Sequence, residues 1–164
     1  WLLVEWMNAR QPKFVGLLPG AVAGLATITP AAGYVSLSTA ALIGILSGVI
    51  CYYAVALKNK LGWDDALDVW GVHGVGGFIG VIFLGVFASK AWNPAGADGL
   101  LLGGWGFFGK QCAAVAVSSV WAFAFTYGML WLIDRVTPVR VDVLAEEKGL
   151  DHELHGEEAY PQGV

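Results

Sequence analysis

The chain has 164 residues, 57% of them hydrophobic and 13% charged, with 23 glycines, 8 tryptophans and a formal net charge of −4. That composition is too apolar and too glycine-rich for an ordinary soluble domain, so lipid is the expected solvent for most of it. The charge pattern argues against nucleic acid as a partner, because the acids gather near the C-terminus and there is no basic patch.

A bilayer core of about 30 Å takes about 20 apolar residues per helical span. Residues 1–13, opening with Trp1-Leu2-Leu3-Val4-Glu5-Trp6, read as the end of a preceding span and a cytoplasmic loop. They carry neither an initiator methionine nor the basic start of a signal peptide, so the chain is expected to be a piece of a longer membrane protein. The first full span covers residues 14–34 and contains Pro19 and Pro30. An interior proline frees a backbone carbonyl four residues back, and such breaks are tolerated where protein or a water-filled cavity satisfies the backbone again. Thr29 is a candidate for that structural support through its hydroxyl, or for the wall of a pore vestibule.

A second span is expected at residues 39–57. The third, 66–88, has Asp68 near its start and His73 inside it, and the fourth runs without charge over residues 111–133. Transmembrane β-strands would show segments of about ten residues with alternating polarity. These runs are longer and apolar on every face, so the fold class is an all-α membrane protein, a helical bundle. Cys51 and Cys112 lie inside spans with no second ligand at metal spacing; they read as small buried hydrophobes, and no metal or cofactor is expected.

Lysine and arginine accumulate on cytoplasmic loops. If each helix crosses once, Arg10 and Lys13, Lys58 and Lys60, and Arg135, Arg140 and Lys148 fall on one side. The other side holds residues 35–38 and the loop 89–109, with Lys90 its main basic residue, which places the C-terminus in the cytoplasm. The tail, residues 134–164, is acidic and expected to be helix-poor, with Thr137-Pro138 as a breaker and Gly149, Gly156 and Gly163 as turn signals. In isolation such a segment is a candidate for disorder. Leu150, Leu154, Ala159 and Tyr160 nevertheless give it apolar surface, which suggests docking onto another surface.

Ionisable groups inside a membrane are costly and point to function, and His73 is the one that stands out. At 3.6 residues per turn, Val69, His73, Gly76, Gly77 and Gly80 are expected to share one face. Glycines at this density let helices approach closely, and they also leave room around an imidazole for a small ligand. The alternative is a histidine bonded to a neighbouring helix. Asp68, with Asp64 and Asp65 before it, suits a helix N-terminal cap; attraction of a cation is the other reading, weakened by Lys58 and Lys60 nearby.

Three segments, "GAVAGLATITPAAGYVS" at residues 20–36, "DDALDVWGVHGVGGFIG" at 64–80 and "GLDHELHGEEAY" at 149–160, stand in an order that resembles the ammonium transporter (Amt/Mep/Rh) family, in particular its bacterial and archaeal Amt branch. The resemblance implies an eleven-span inverted-repeat transporter, of which this chain is the second half: about spans eight to eleven plus the tail. It further implies a multi-pass protein of the cell membrane, assembled as a homotrimer with one ammonium-conducting pore per subunit. His73 matches the second of a pair of mid-pore histidines, the first lying outside this chain. Val69 falls where the family has an apolar pore-lining side chain, and Trp70 where many members have phenylalanine.

In the tail, Gly149, Asp151, His155, Gly156 and Tyr160 match the motif that docks against the cytoplasmic face and couples subunits. Glu153 stands where plant members carry a phosphorylated threonine, so no phosphoswitch is expected there. A cytoplasmic PII-family regulator is a candidate partner. His152 and His155, amid carboxylates, read as part of this docking motif rather than as a metal site.

Moving a bare charge into a low-dielectric site costs tens of kcal/mol in the idealised limit, against roughly 2 to 7 for a neutral polar molecule. The expected mechanism is therefore loss of a proton from ammonium near the entrance and passage of ammonia along an apolar channel past His73. No enzymatic activity is expected, since His73 has no nucleophile or acid beside it in these spans. Two other readings stand beside transport: an ammonium sensor with little flux, and a membrane scaffold subunit whose glycines serve packing alone.

Overall fold

A computed structural model describes residues 1–11 and 13–158. Among these the regular structure is helical throughout: α1 (Leu2–Ala9), α2 (Phe14–Ile28), α3 (Leu37–Leu61), α4 (Gly76–Phe87), α5 (Trp105–Asp134) and α6 (Val143–Lys148). Short 3₁₀ turns occur at Thr29–Ala31 and Leu100–Leu102, and π-helical turns at Trp70–Val75 and Asp151–His155. Four stretches are long and apolar enough to cross a membrane, Phe14–Ala31, Leu37–Leu61, Trp70–Phe87 and Trp105–Asp134.

Local chemistry decides where these helices end, and it moves several ends away from the limits of the apolar runs. Helix α3 starts at Leu37 because the Ser36 hydroxyl accepts the Thr39 N–H at 3.1 Å, one of the donors a helix start leaves unpaired. It runs on to Leu61, where Gly62 takes a left-handed φ of 66° and closes it. In the first span Pro30 has no N–H, and the helix tightens into the Thr29–Ala31 turn instead of continuing to residue 34. The Thr29 hydroxyl donates to the Leu25 carbonyl at 2.7 Å, and not to the Ala26 carbonyl that Pro30 leaves without a partner four residues back.

The chain divides into two compact units, Trp1–Ser119 and Val120–Val164, with the boundary inside α5. The first unit is centred on the crossing of α2, α3 and α4, where Ala23, Cys51, Val55 and Val72 form a buried apolar cluster. A polar thread runs through this crossing. Ser47 donates to the Ala23 carbonyl at 2.8 Å, which uses its only proton, so the Thr27 hydroxyl is the donor in the 2.7 Å bond to Ser47 Oγ. Both side chains are fully buried. Such a bond contributes about 1 kcal/mol net, whereas stranding one of its groups away from water costs about 1 to 3 kcal/mol.

Glycine allows the helices to come this close. A methyl group added at Gly80 would collide with the Thr27 carbonyl, and one at Gly76 would lie 3.0 Å from Thr27 Oγ1 and 3.5 Å from Cys51 Sγ. Close approach of backbones through small residues is how helices associate where no water drives them together. Within the same unit, Phe108 and Gln111 of α5 pack over Gly85.

The second unit corrects the expectation of a helix-poor tail. Asp142 caps α6 by accepting the Leu144 N–H at 2.8 Å, and Gly149, at φ 103°, ends it. A second short helical turn, Asp151–His155, is closed by Gly156 at φ 66°. Arg140 and Glu146 pair at 3.2 Å. Because both are largely exposed, that pair is worth under about 1 kcal/mol. Local caps thus supply a structure that the acidic composition concealed. Leu150 and Leu154 remain 44% and 58% exposed, so the tail keeps the apolar surface read from its sequence. Ala159 and Tyr160 lie outside the described residues.

Candidate pore helix and its anchor

The third span begins in a turn rather than in a helix. Asp65 and Asp68 bracket that turn, with the Asp68 N–H donating to the Asp65 carbonyl at 3.3 Å. Asp68 itself has φ 56°, a left-handed conformation that short polar residues such as Asp tolerate better than most. From here the chain rises into the π-helical turn Trp70–Val75 and then α4.

The cap of this helix is Asp65, which replaces Asp68 in the role expected for it. Its two carboxylate oxygens accept the Val69 and Trp70 N–H groups, each at 2.9 Å. Asp68 has another partner. Lys58, near the C-terminus of α3, donates from Nζ to Asp68 Oδ1 and to the Asp65 carbonyl, both at 2.7 Å. Lys58 is only 5% exposed. Removing one member of a pair buried to this degree leaves an uncompensated charge, a loss on the order of 3 to 5 kcal/mol that partial exposure of the Asp68 side chain reduces.

By its sequence this lysine is only a basic loop residue. The signal that points to its role is a cation one turn from a helix end, facing an Asp-Asp-x-x-Asp run that opens the next span. Edge-to-face packing of Trp63 against Trp70, with ring centroids 5.0 Å apart, fastens the other side of the same turn.

Beyond this anchor the helix presents two different faces. Gly71, Val72, Gly76 and Gly80 are buried against α2 and α3. Val69, His73 and Gly74 are exposed, and a Cβ on Gly77 would meet nothing within 4 Å. The single five-residue face expected to hold Val69, His73, Gly76, Gly77 and Gly80 is therefore split. Its cause is the π-helical turn, whose i→i+5 bonding inserts an extra residue and rotates the rest of the helix relative to a 3.6-residue register. Val69, His73 and Gly77 stay on the bare side, while Gly76 and Gly80 turn into the helix crossing. Among the described residues nothing hydrogen-bonds the His73 imidazole.

Of the other expected site residues, Thr29 sits at the end of α2, and its hydroxyl is committed to the Leu25 carbonyl. Gly149, Asp151, His155 and Gly156 belong to the second unit, where Asp151 Oδ1 accepts the His152 N–H at 2.9 Å.

Four membrane-length helices, an ionisable imidazole within one of them, and close helix crossings built on glycine define a multi-pass membrane protein. A family model described as the Ammonium Transporter Family matches residues 1–160, and the chain belongs to that family. An ammonium transporter of Bacillus subtilis is 44% identical over the whole chain, and a putative ammonium transporter of Methanothermobacter thermautotrophicus is 43% identical over 98% of it. The chain spans about two fifths of the length of these relatives, 41% and 40% respectively. The crystal structure of the Candida albicans Mep2 mutant S453D superposes with a TM-score of 0.80 at 39% identity, over 87% of this chain and 33% of that one.

Proposed function

We propose that this chain contributes one wall of an ammonium/ammonia passage, formed by Val69, His73 and Gly77, in a full-length protein assembled as a homotrimer with one passage per subunit. The observation that carries the reading is the bare face of the third span. An imidazole with no partner among the described residues stands there between the exposed Val69 and Gly77, where an added Cβ would meet nothing within 4 Å. Exposing such a group to acyl chains has no compensation, whereas a second histidine and a small hydrogen-bonding solute would supply it. In the relatives more than half of the length lies outside the matched region, enough to cover this face.

Ammonium gives up its proton at the entrance on this reading, because no carboxylate lies on the bare face beyond Asp68 to offset a buried cation. His73 then accepts from or donates to ammonia in transit. The protein lies in the cell membrane with its C-terminus in the cytoplasm, where Gly149, Asp151, His155, Gly156 and Tyr160 dock the tail, and where a PII-family regulator would meet it.

The test is His73→Ala in the intact protein, reconstituted in vesicles and assayed for methylammonium uptake together with membrane current. At least a tenfold loss of flux, or a change in its coupling to current, is the expected result. Unchanged uptake and current would remove His73 from the mechanism.

A further inference from the structure

The Nζ of Lys58 is itself an ammonium group. It sits in a site made of one carboxylate oxygen, Asp68 Oδ1, and one carbonyl oxygen, that of Asp65, each 2.7 Å away. The same two residues begin the helix that carries His73: Asp65 caps it, and Asp68 holds the left-handed turn before it. Asp68 also borders a cleft together with Glu5, Lys13 and Asn59, so its carboxylate is within reach of solutes once the lysine is gone. A cation held by hydrogen bonds to ionised and carbonyl oxygens is the strong class of such bonds, and free ammonium offers the same N–H donors without the tether.

We propose that Lys58 is a positioning residue for conduction. Its tethered ammonium fixes the turn from which the His73 helix starts, and it occupies a carboxylate–carbonyl site that would otherwise retain ammonium. The transport consequence rests on the passage proposed along Val69, His73 and Gly77; the structural consequence does not. Without Lys58, the Asp65–Asp68 turn loses the cation that joins it to α3, the π-helical turn loosens, and free ammonium takes the vacated place.

Full-length Lys58→Ala and Lys58→Ala/Asp68→Asn test it, with hydrogen exchange of the amides of residues 69–75 measured in detergent and methylammonium uptake measured in vesicles. Asparagine keeps the left-handed turn available while removing the charge. In Lys58→Ala those amides are expected to exchange at least tenfold faster, and maximal uptake to fall at least tenfold. Ammonium chloride, compared with sodium chloride at equal ionic strength, is expected to slow the exchange again in Lys58→Ala but not in the double variant.

Exchange within twofold of the unaltered protein, or no difference between the two salts, would overturn the proposal. Should Lys58→Ala fail to fold, Lys58→Leu, which keeps the apolar stem but stops short of the two oxygens, takes its place with the same outcomes. If the unaltered protein moves no methylammonium while the salt-specific protection appears, the transport reading fails and the role of Lys58 in holding the turn stands.

Discussion

The two sides of the third span differ in what their small residues accomplish. On the buried side Gly71, Gly76 and Gly80 lack side chains so that Val55, Thr27 and Cys51 can press against the backbone. On the bare side a Cβ added at Gly77 would meet nothing within 4 Å, and the glycine lies one helical turn from the exposed His73. Identical residues thus serve contact on one side and open space on the other, and only their placement relative to the π-helical turn separates the two uses.

Substitutions on the two sides should behave accordingly. The largest effect is expected from Gly80→Leu, whose side chain has nowhere to go against the Thr27 carbonyl and Pro30. Overpacking of this kind costs about 3 kcal/mol or more, and the variant should fail to accumulate as folded protein in a detergent size-exclusion profile. Next comes Ser47→Ala, which strands the buried Thr27 hydroxyl and should cost about 1 to 3 kcal/mol, read as a lowered thermal midpoint. Thr27→Val keeps the volume and leaves the Ser47 bond to Ala23 intact, so about 1 kcal/mol is expected. Gly77→Ala should be the mildest, within about 0.5 kcal/mol. A large destabilisation by Gly77→Ala, or none by Gly80→Leu, would erase the distinction between the sides.

The sequence carries the large features because they are written in long-range composition. Four apolar runs, an intramembrane histidine and a glycine-rich stretch are visible without coordinates, and the family is legible in ordered motifs. The features that escape it are set by local hydrogen bonding that the pattern of apolar residues does not encode. Ser36 and Gly62 lengthen α3 beyond its apolar run, and Asp142 and Gly149 build a helix in a tail whose charge suggests disorder. The shared face drawn through Val69, His73, Gly76, Gly77 and Gly80 assumes a uniform 3.6-residue turn, and one π-helical turn breaks it. Lys58 is hard to single out because its partner lies ten residues away across a turn, a separation at which no helical or strand periodicity links two side chains. For Asp68, the expectation of a cap is off by one turn of chain, since Asp65 supplies the cap and Asp68 supplies the anchor.

On the proposed reading Val69, His73 and Gly77 border a passage. An experimental structure of the intact protein in a lipid bilayer tests it most directly. In that structure these three positions are expected to line a narrow cavity continuous with both aqueous sides, with a second imidazole facing His73, and Gly76 and Gly80 dry at the helix crossing. Finding the His73 ring against acyl chains, or sealed by bulky side chains with no opening alongside, would contradict it.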